Sequence, residues 1–260
     1  MGGHRRLNLT EPILVPPHLG TLANVALSNV LVAFDYDGTL APITARPEEA
    51  HMRPRTRSLL TAVAMSYPTV VISGRALADV TAMLDSVPLW HIYGNHGLES
   101  VSRGHEADFD TARWIAQLTP HLPSQLGIRI EDKRYTVTVH FRGAPDRDRA
   151  LAAIETAVEA LPEVSILRGR EAINLLPRGR GDKGMALAQA RDIFACHHAI
   201  YVGDEDTDEA AFASGGDRTL AVRVEPSDRS RAKYHVGSQL DIDVFLRTLL
   251  DFRRPSRKPR

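Results

Sequence analysis

A single cysteine, Cys196, stands among 260 residues, so an intrachain disulfide and a cysteine-built metal cluster are both excluded. Net charge is lacking too. The 32 Lys and Arg balance the 32 Asp and Glu, which leaves no electrostatic case for nucleic acid or an anionic membrane surface. No uninterrupted apolar run approaches the length of a membrane span. Ile13-Leu14-Val15 runs straight into Pro16-Pro17, too short for the apolar stretch of a signal peptide, and the Ser or Thr that myristoylation of Gly2 requires is missing. Repeats and low-complexity blocks are absent, and the basic end Arg253–Arg260 reads as a frayed tail. A cytoplasmic protein is expected, a monomer with no nucleic-acid or membrane partner. At 43% hydrophobic and 25% charged residues, the chain has the composition of an ordinary globular protein with room for one large domain or two smaller ones.

What is present is acid at the end of an apolar run. Leu31-Val32-Ala33-Phe34 leads directly into Asp35-Tyr36-Asp37-Gly38-Thr39-Leu40. The run predicts a buried strand, and in open parallel sheets ligands bind beyond the carboxyl ends of the strands. Two carboxylates so close repel unless a cation sits between them, and hard oxygen ligands near phosphate favour Mg²⁺. One carboxylate could then attack phosphorus. A strand running into an ordinary Asp-Gly turn leaves the same pair, so the downstream residues decide.

Short apolar runs alternate with amphipathic stretches through the first part of the chain. Strands are predicted at 30–34, 69–73 and near 89–93, with helices near 54–66 and 76–84, as in a parallel sheet built from crossovers. The middle reads differently. After a polar stretch at 102–108 come a helix near 110–118, strands at 127–131 and 135–141 joined by Asp132-Lys133-Arg134, a helix at 146–161, and strands at 164–167 and 172–175. The strict alternation in Tyr135-Thr136-Val137-Thr138-Val139-His140-Phe141 predicts a half-exposed antiparallel strand, with the Thr and His face toward solvent. From Asp182 the first pattern returns: helices at 182–191, 206–213 and 240–252, and strands at 199–202, 219–224 and near 234–236. The expected organisation is an α/β parallel-sheet core of Rossmann-like type over 1–104 and 181–260, with an α+β cap inserted at 105–180.

Three further segments fall where core strands should end. Ser73-Gly74-Arg75 offers a hydroxyl and backbone N–H groups at a strand-to-helix turn, suited to a phosphate oxygen, although a plain helix cap looks the same. Lys183 opens a helix, where a fixed ammonium could neutralise phosphate and nucleophile. Gly203-Asp204-Glu205-Asp206-Thr207-Asp208-Glu209 puts five acidic residues within six positions, a repulsion that asks for a cation.

Taken together and in this order, the four segments resemble the haloacid-dehalogenase superfamily of phosphohydrolases. The resemblance implies Asp35 as nucleophile, forming an aspartyl-phosphate, with Asp37 as general acid and then base. It implies Mg²⁺ held by Asp35, the carbonyl of Asp37 and Asp204, with Asp208 in support, and phosphoryl oxygens held by Ser73 and Lys183. A large cap between the Ser and Lys segments is similar to the trehalose-6-phosphate phosphatase family of that superfamily. Ser73-Gly74-Arg75, Gly94-Asn95-His96-Gly97, Glu131-Asp132-Lys133 and His140-Phe141-Arg142 carry the likeness. It implies a sugar-phosphate substrate from trehalose biosynthesis, bound by Gly74, Arg75, Asn95, His96, Glu131, Lys133 and Arg142. His140 is assigned to the solvated face of its strand. One departure is Asn174, which stands where that family commonly has a sugar-binding Glu. Sucrose phosphate, a pseudo-disaccharide phosphate and mannosyl-phosphoglycerate therefore stay open as substrates, as do a phosphotransferase and a non-catalytic sugar-phosphate-binding homologue.

Overall fold

The computed structural model describes residues 9–100, 110–122, 124–169 and 171–254. Two sheets organise them. The larger runs, in spatial order, through Glu11–Pro12, Tyr234–Val236, Thr219–Val224, His198–Gly203, Val30–Phe34, Thr69–Ile72, His91–Gly94 and Glu99–Ser100. Every neighbouring pair is parallel except the last, an antiparallel edge. Val30–Phe34 is apolar throughout because both its faces are covered. Val32 and Phe34 pack with Leu60 and Phe245 on one side, while Leu31 and Ala33 pack with Leu187 and Tyr201 on the other.

The smaller sheet is antiparallel, ordered Arg129–Asp132, Val137–His140, Ala172–Pro177, Val164–Arg168. Helices Thr111–Leu118 and Arg147–Val158 cover one face, where Trp114, Leu118 and Ile154 meet Val137, Val139, Ile173 and Leu175. Each of the two helices is capped by an aspartate that precedes it, Asp110 and Asp146, whose carboxylates accept from Arg113 N and Arg149 N.

Three differences from the sequence reading matter. The helix Pro16–Ala26 and the short strand Glu11–Pro12 were not expected; Pro at the first helical turn starts the helix rather than breaking it. The acidic stretch expected as one helix at 206–213 is a 3₁₀ turn, Asp206–Asp208, followed by Glu209–Ala213. Finally, the polar face of the strand over 135–141 is not solvated. Thr136 and Thr138 are buried, because their hydroxyls bond Asn95 and Asn174. The polar stretch expected to begin the cap, 102–108, lies outside the described residues, as does the tail beyond Arg254.

Candidate active site

Val30–Phe34 lies between His198–Gly203 and Thr69–Ile72, so the segments that leave these three strands meet at one edge. Asp35 continues the ladder, its N–H bonding Val202 O at 2.9 Å. Its carboxylate is buried and lies 2.9 Å from the ammonium of Lys183, which is itself 2.8 Å from Asp208. Lys183 reaches this point because it opens the helix Lys183–Ile193, whose N-cap Asp182 accepts from Met185 N. Tyr201 OH and Glu205 N also donate to Asp208, at 2.7 and 2.9 Å, so Asp208 is fixed from three directions.

Asp204 completes the cluster: one carboxylate oxygen from each of Asp35, Asp204 and Asp208 lies within 4.8 Å of the others. The approach needs a glycine opposite. Gly38 has φ +78°, and a Cβ there would fall 2.1 Å from Asp204 Oδ2. Three carboxylates face one ammonium, which leaves two negative charges uncompensated. Burial raises the pKa of Asp35 well above the usual carboxylate range; Lys183 opposes that rise, and Asp208 and Asp204 add to it. Burial, with Asp208 and Glu205, pushes Asp204 up to about 8. For Lys183, burial works to lower the pKa, but Asp208 and Asp35 outweigh it and hold the ammonium charged. An all-oxygen donor set with this charge deficit fits a hard divalent cation.

The Asp37 carboxylate points elsewhere. Arg75 grips it with a planar fork, Nε and Nη2 each 2.6 Å from an oxygen, while also donating to Pro47 O and stacking on Tyr36. Ser73 is buried, and its hydroxyl accepts from Arg75 N at 3.1 Å. Gly74 has no room for a side chain, since a Cβ would sit 2.6 Å from His96 Cε1. The loop after His91–Gly94 folds onto this turn with Asn95 and His96 both in the left-handed region, φ +46° and +57°. Burial, then Lys183 and Lys133, push the His96 imidazole well below its usual pKa, so it is neutral.

The second sheet stands over this edge and brings its expected residues with it. Lys133, from the hairpin turn, donates to Gly74 O at 3.1 Å. Asn174 is buried, accepts from Thr138 Oγ1 at 2.8 Å and donates to Leu167 O at 3.4 Å. Glu131 is half-buried; a 2.6 Å bond from His140 Nε2, with Lys133 adding to it against the effect of burial, holds its pKa down at about 2. His140 is therefore a partner of Glu131, not a solvated residue. Arg142 is exposed; it is paired with Glu171 and donates to Thr44 O at 2.9 Å.

Sequence reasoning missed Thr39, which donates to Asp204 Oδ1 at 3.2 Å, along with Tyr201 and Thr136. Only Tyr201 carried a signal: a phenol in a buried strand needs a partner for its hydroxyl.

The family model for trehalose-phosphatase matches residues 33–242. Trehalose-phosphate phosphatase of Mycobacterium marinum is 33% identical over 232 residues, covering 82% of this chain and 59% of that one. The Mycobacterium tuberculosis protein of the same name is 33% identical over 241 residues, covering 87% and 61%. The chain thus spans about six-tenths of the length of these curated relatives. Among solved structures, the C-terminal domain of Candida albicans trehalose-6-phosphate phosphatase superposes with a TM-score of 0.75 at 22% identity, covering 95% of this chain and 99% of that one. A trehalose-6-phosphate phosphatase related protein superposes at 0.67 with 26% identity, covering 86% and 100%.

Proposed function

The chain belongs to the trehalose-phosphatase family, and from that premise we propose that it hydrolyses trehalose 6-phosphate to trehalose and phosphate through an aspartyl-phosphate. The observation that carries this reading is the cluster of buried Asp35, Lys183 and Asp208 with half-buried Asp204. Phosphoryl transfer asks mainly for positioning and charge neutralisation; the cluster would supply the positioning, and Lys183 with a cation held by the carboxylates would supply the charge.

In the proposed reaction an Asp35 oxygen attacks phosphorus, and the bond between phosphorus and the sugar oxygen breaks. Asp37, once it is protonated and freed from one of the two Arg75 bonds that it accepts in the ligand-free protein, gives that oxygen its proton. Asp37 then takes a proton from water as the water oxygen attacks phosphorus, which breaks the bond to Asp35 and releases phosphate. Lys183 and Ser73 hold phosphoryl oxygens. Asp35, the carbonyl of Asp37 and Asp204 would hold Mg²⁺, with Asp208 bracing the group, and the ion would supply the remaining positive charge. Residues 105–180 act as a lid whose Glu131, Lys133 and Arg142 read the sugar over a core formed by 1–104 and 181–260. Gly74, Arg75 and His96 line the core side of the pocket.

Asn174 carries no charge at a place where the family commonly has Glu, which keeps sucrose phosphate, pseudo-disaccharide phosphates and mannosyl-phosphoglycerate in the comparison. The test is phosphate release with Mg²⁺ over a panel of mono- and disaccharide phosphates. The highest kcat/KM on trehalose 6-phosphate supports the assignment, and a clear preference for another member overturns it.

A further inference from the structure

We propose that Asn95 is a positioning residue rather than a sugar contact: with Lys133 it latches the cap hairpin onto the Ser73–Arg75 turn by bonds internal to the chain. The role as a latch for catalysis rests on the phosphatase reading above, whereas the latch itself is a property of the fold.

Asn95 is completely buried, and its carboxamide is spent on both sides of the junction. Nδ2 donates to Glu99 Oε2 at 2.7 Å in the core and to Lys133 O at 3.1 Å in the hairpin turn. Its Oδ1 accepts from Thr136 Oγ1 at 2.9 Å, again from the hairpin. One amide therefore ties residues 38 and 41 positions away to the sheet edge. With these bonds made, three of the four hydrogen-bonding positions of the carboxamide are filled without a ligand.

The same loop controls the turn read as the phosphate site. Asn95 N–H donates to Arg75 O at 2.7 Å and His96 N–H to Ser73 O at 2.9 Å. Lys133 Nζ takes the carbonyl between them, Gly74 O, at 3.1 Å. Three successive carbonyls of the turn are thus held by the Asn95-His96 loop and by the cap. The left-handed backbone at Asn95 and His96 is the conformation that aims both N–H groups at the turn, a strained arrangement kept where the surroundings over-determine it. Lifting the hairpin would strip the Asn95 carboxamide of two partners, the Lys133 carbonyl and the Thr136 hydroxyl, and Gly74 O of one. Seating of the cap and the shape of the turn are therefore coupled through the backbone.

Thr136 isolates the latch from the chemistry, because its hydroxyl bonds Asn95 and it belongs to none of the binding or catalytic groups. The experiment compares Thr136→Val, which keeps the shape and loses the hydroxyl, with Thr136→Ser, which keeps the hydroxyl. Amide hydrogen exchange is followed in the ligand-free protein. The expected result for Thr136→Val is exchange roughly tenfold faster in both 91–98 and 132–136, with the remote strand 219–224 unchanged and Thr136→Ser near wild type. If Thr136→Val does not fold, Thr136→Ala makes the same comparison. Faster exchange confined to 132–136, no change in either segment, or equal effects of Ser and Val would each overturn the latch. In parallel, Thr136→Val should lower kcat/KM on trehalose 6-phosphate about tenfold while Thr136→Ser does not. Absence of that activity from wild type as well would count against the phosphatase reading and leave the exchange result to decide the latch.

Discussion

Arg75 holds both oxygens of Asp37, at 2.6 Å each, so in the ligand-free protein the candidate acid–base group accepts with both oxygens and is aimed by a residue from the next strand end. Lys cannot reproduce a fork of this geometry. Arg75→Lys should therefore lower kcat/KM by about ten- to a hundredfold, the worth of ~1.5–3 kcal/mol in charge-assisted bonds. Part of the loss should remain on p-nitrophenyl phosphate, which has no sugar to contact but whose phosphoenzyme still needs Asp37 to activate water. Steady-state kinetics on the two substrates checks this, and a loss confined to the sugar substrate would contradict it.

Metal should act on stability as well as on turnover. Asp35, Asp204 and Asp208 crowd together around one ammonium, so a divalent cation relieves repulsion that the folded chain otherwise carries. Mg²⁺ at a hundredfold over its Kd should stabilise the protein by ~2.7 kcal/mol. The shift in thermal midpoint should disappear in Asp204→Asn, and EDTA should abolish phosphate release reversibly. Full activity after exhaustive removal of metal, verified by elemental analysis, is the opposing result.

The cap residues should separate by substrate. Glu131→Ala and Arg142→Ala should each cost about ten- to a hundredfold on trehalose 6-phosphate, in line with the loss of a charged hydrogen bond. They should have much less effect on p-nitrophenyl phosphate, because remote binding energy is drawn only by a substrate that has the sugar. Equal losses on both would assign these side chains to the fold.

The chemistry of the core was legible in the sequence because it is local. Asp35 and Asp37 follow an apolar run directly, and Lys183 follows the Asp182 cap of its own helix, so neighbouring residues carry the signal. What joins the two sheets was not legible. Thr136 pairs with Asn95 across 41 positions and Glu131 with His140 across 9, and alternation alone assigns the Thr and His face to water. A polar face looks the same in sequence whether it meets solvent or the buried partners that a second sheet supplies. The helix Pro16–Ala26 was obscured by its two prolines and by Gly20, although Leu19, Leu22 and Ala26 recur at helical spacing.

The Glu131–His140 pair predicts an acid-side loss of stability. Glu131 titrates at about 2 in the fold against 4.5 in its ordinary state. A depressed carboxylate contributes fully above the unfolded value, and that contribution fades as pH falls from about 4.5 toward 2. The whole shift would be worth ~3 kcal/mol, but the side chain is 35% exposed, so solvent screening leaves about 1 kcal/mol. Urea midpoints measured from pH 6 down to pH 3, a range set by the linkage, should fall less steeply in Glu131→Gln than in wild type. Parallel curves would remove the pair from the account.

The most direct test of the phosphoryl-transfer reading is peptide mapping by mass spectrometry after acid quench of Asp37→Asn incubated with Mg²⁺ and p-nitrophenyl phosphate. Nitrophenolate leaves without a proton, so Asp37→Asn spares formation of the phosphoenzyme and slows its hydrolysis, where proton transfer contributes ~10²–10⁴-fold, and the covalent species should accumulate. The expected result is a phosphoryl adduct on the peptide that carries Asp35, absent when Asp35→Asn is added to the same protein. Phosphate release by wild type with no adduct, or with the adduct on another residue, would contradict the account.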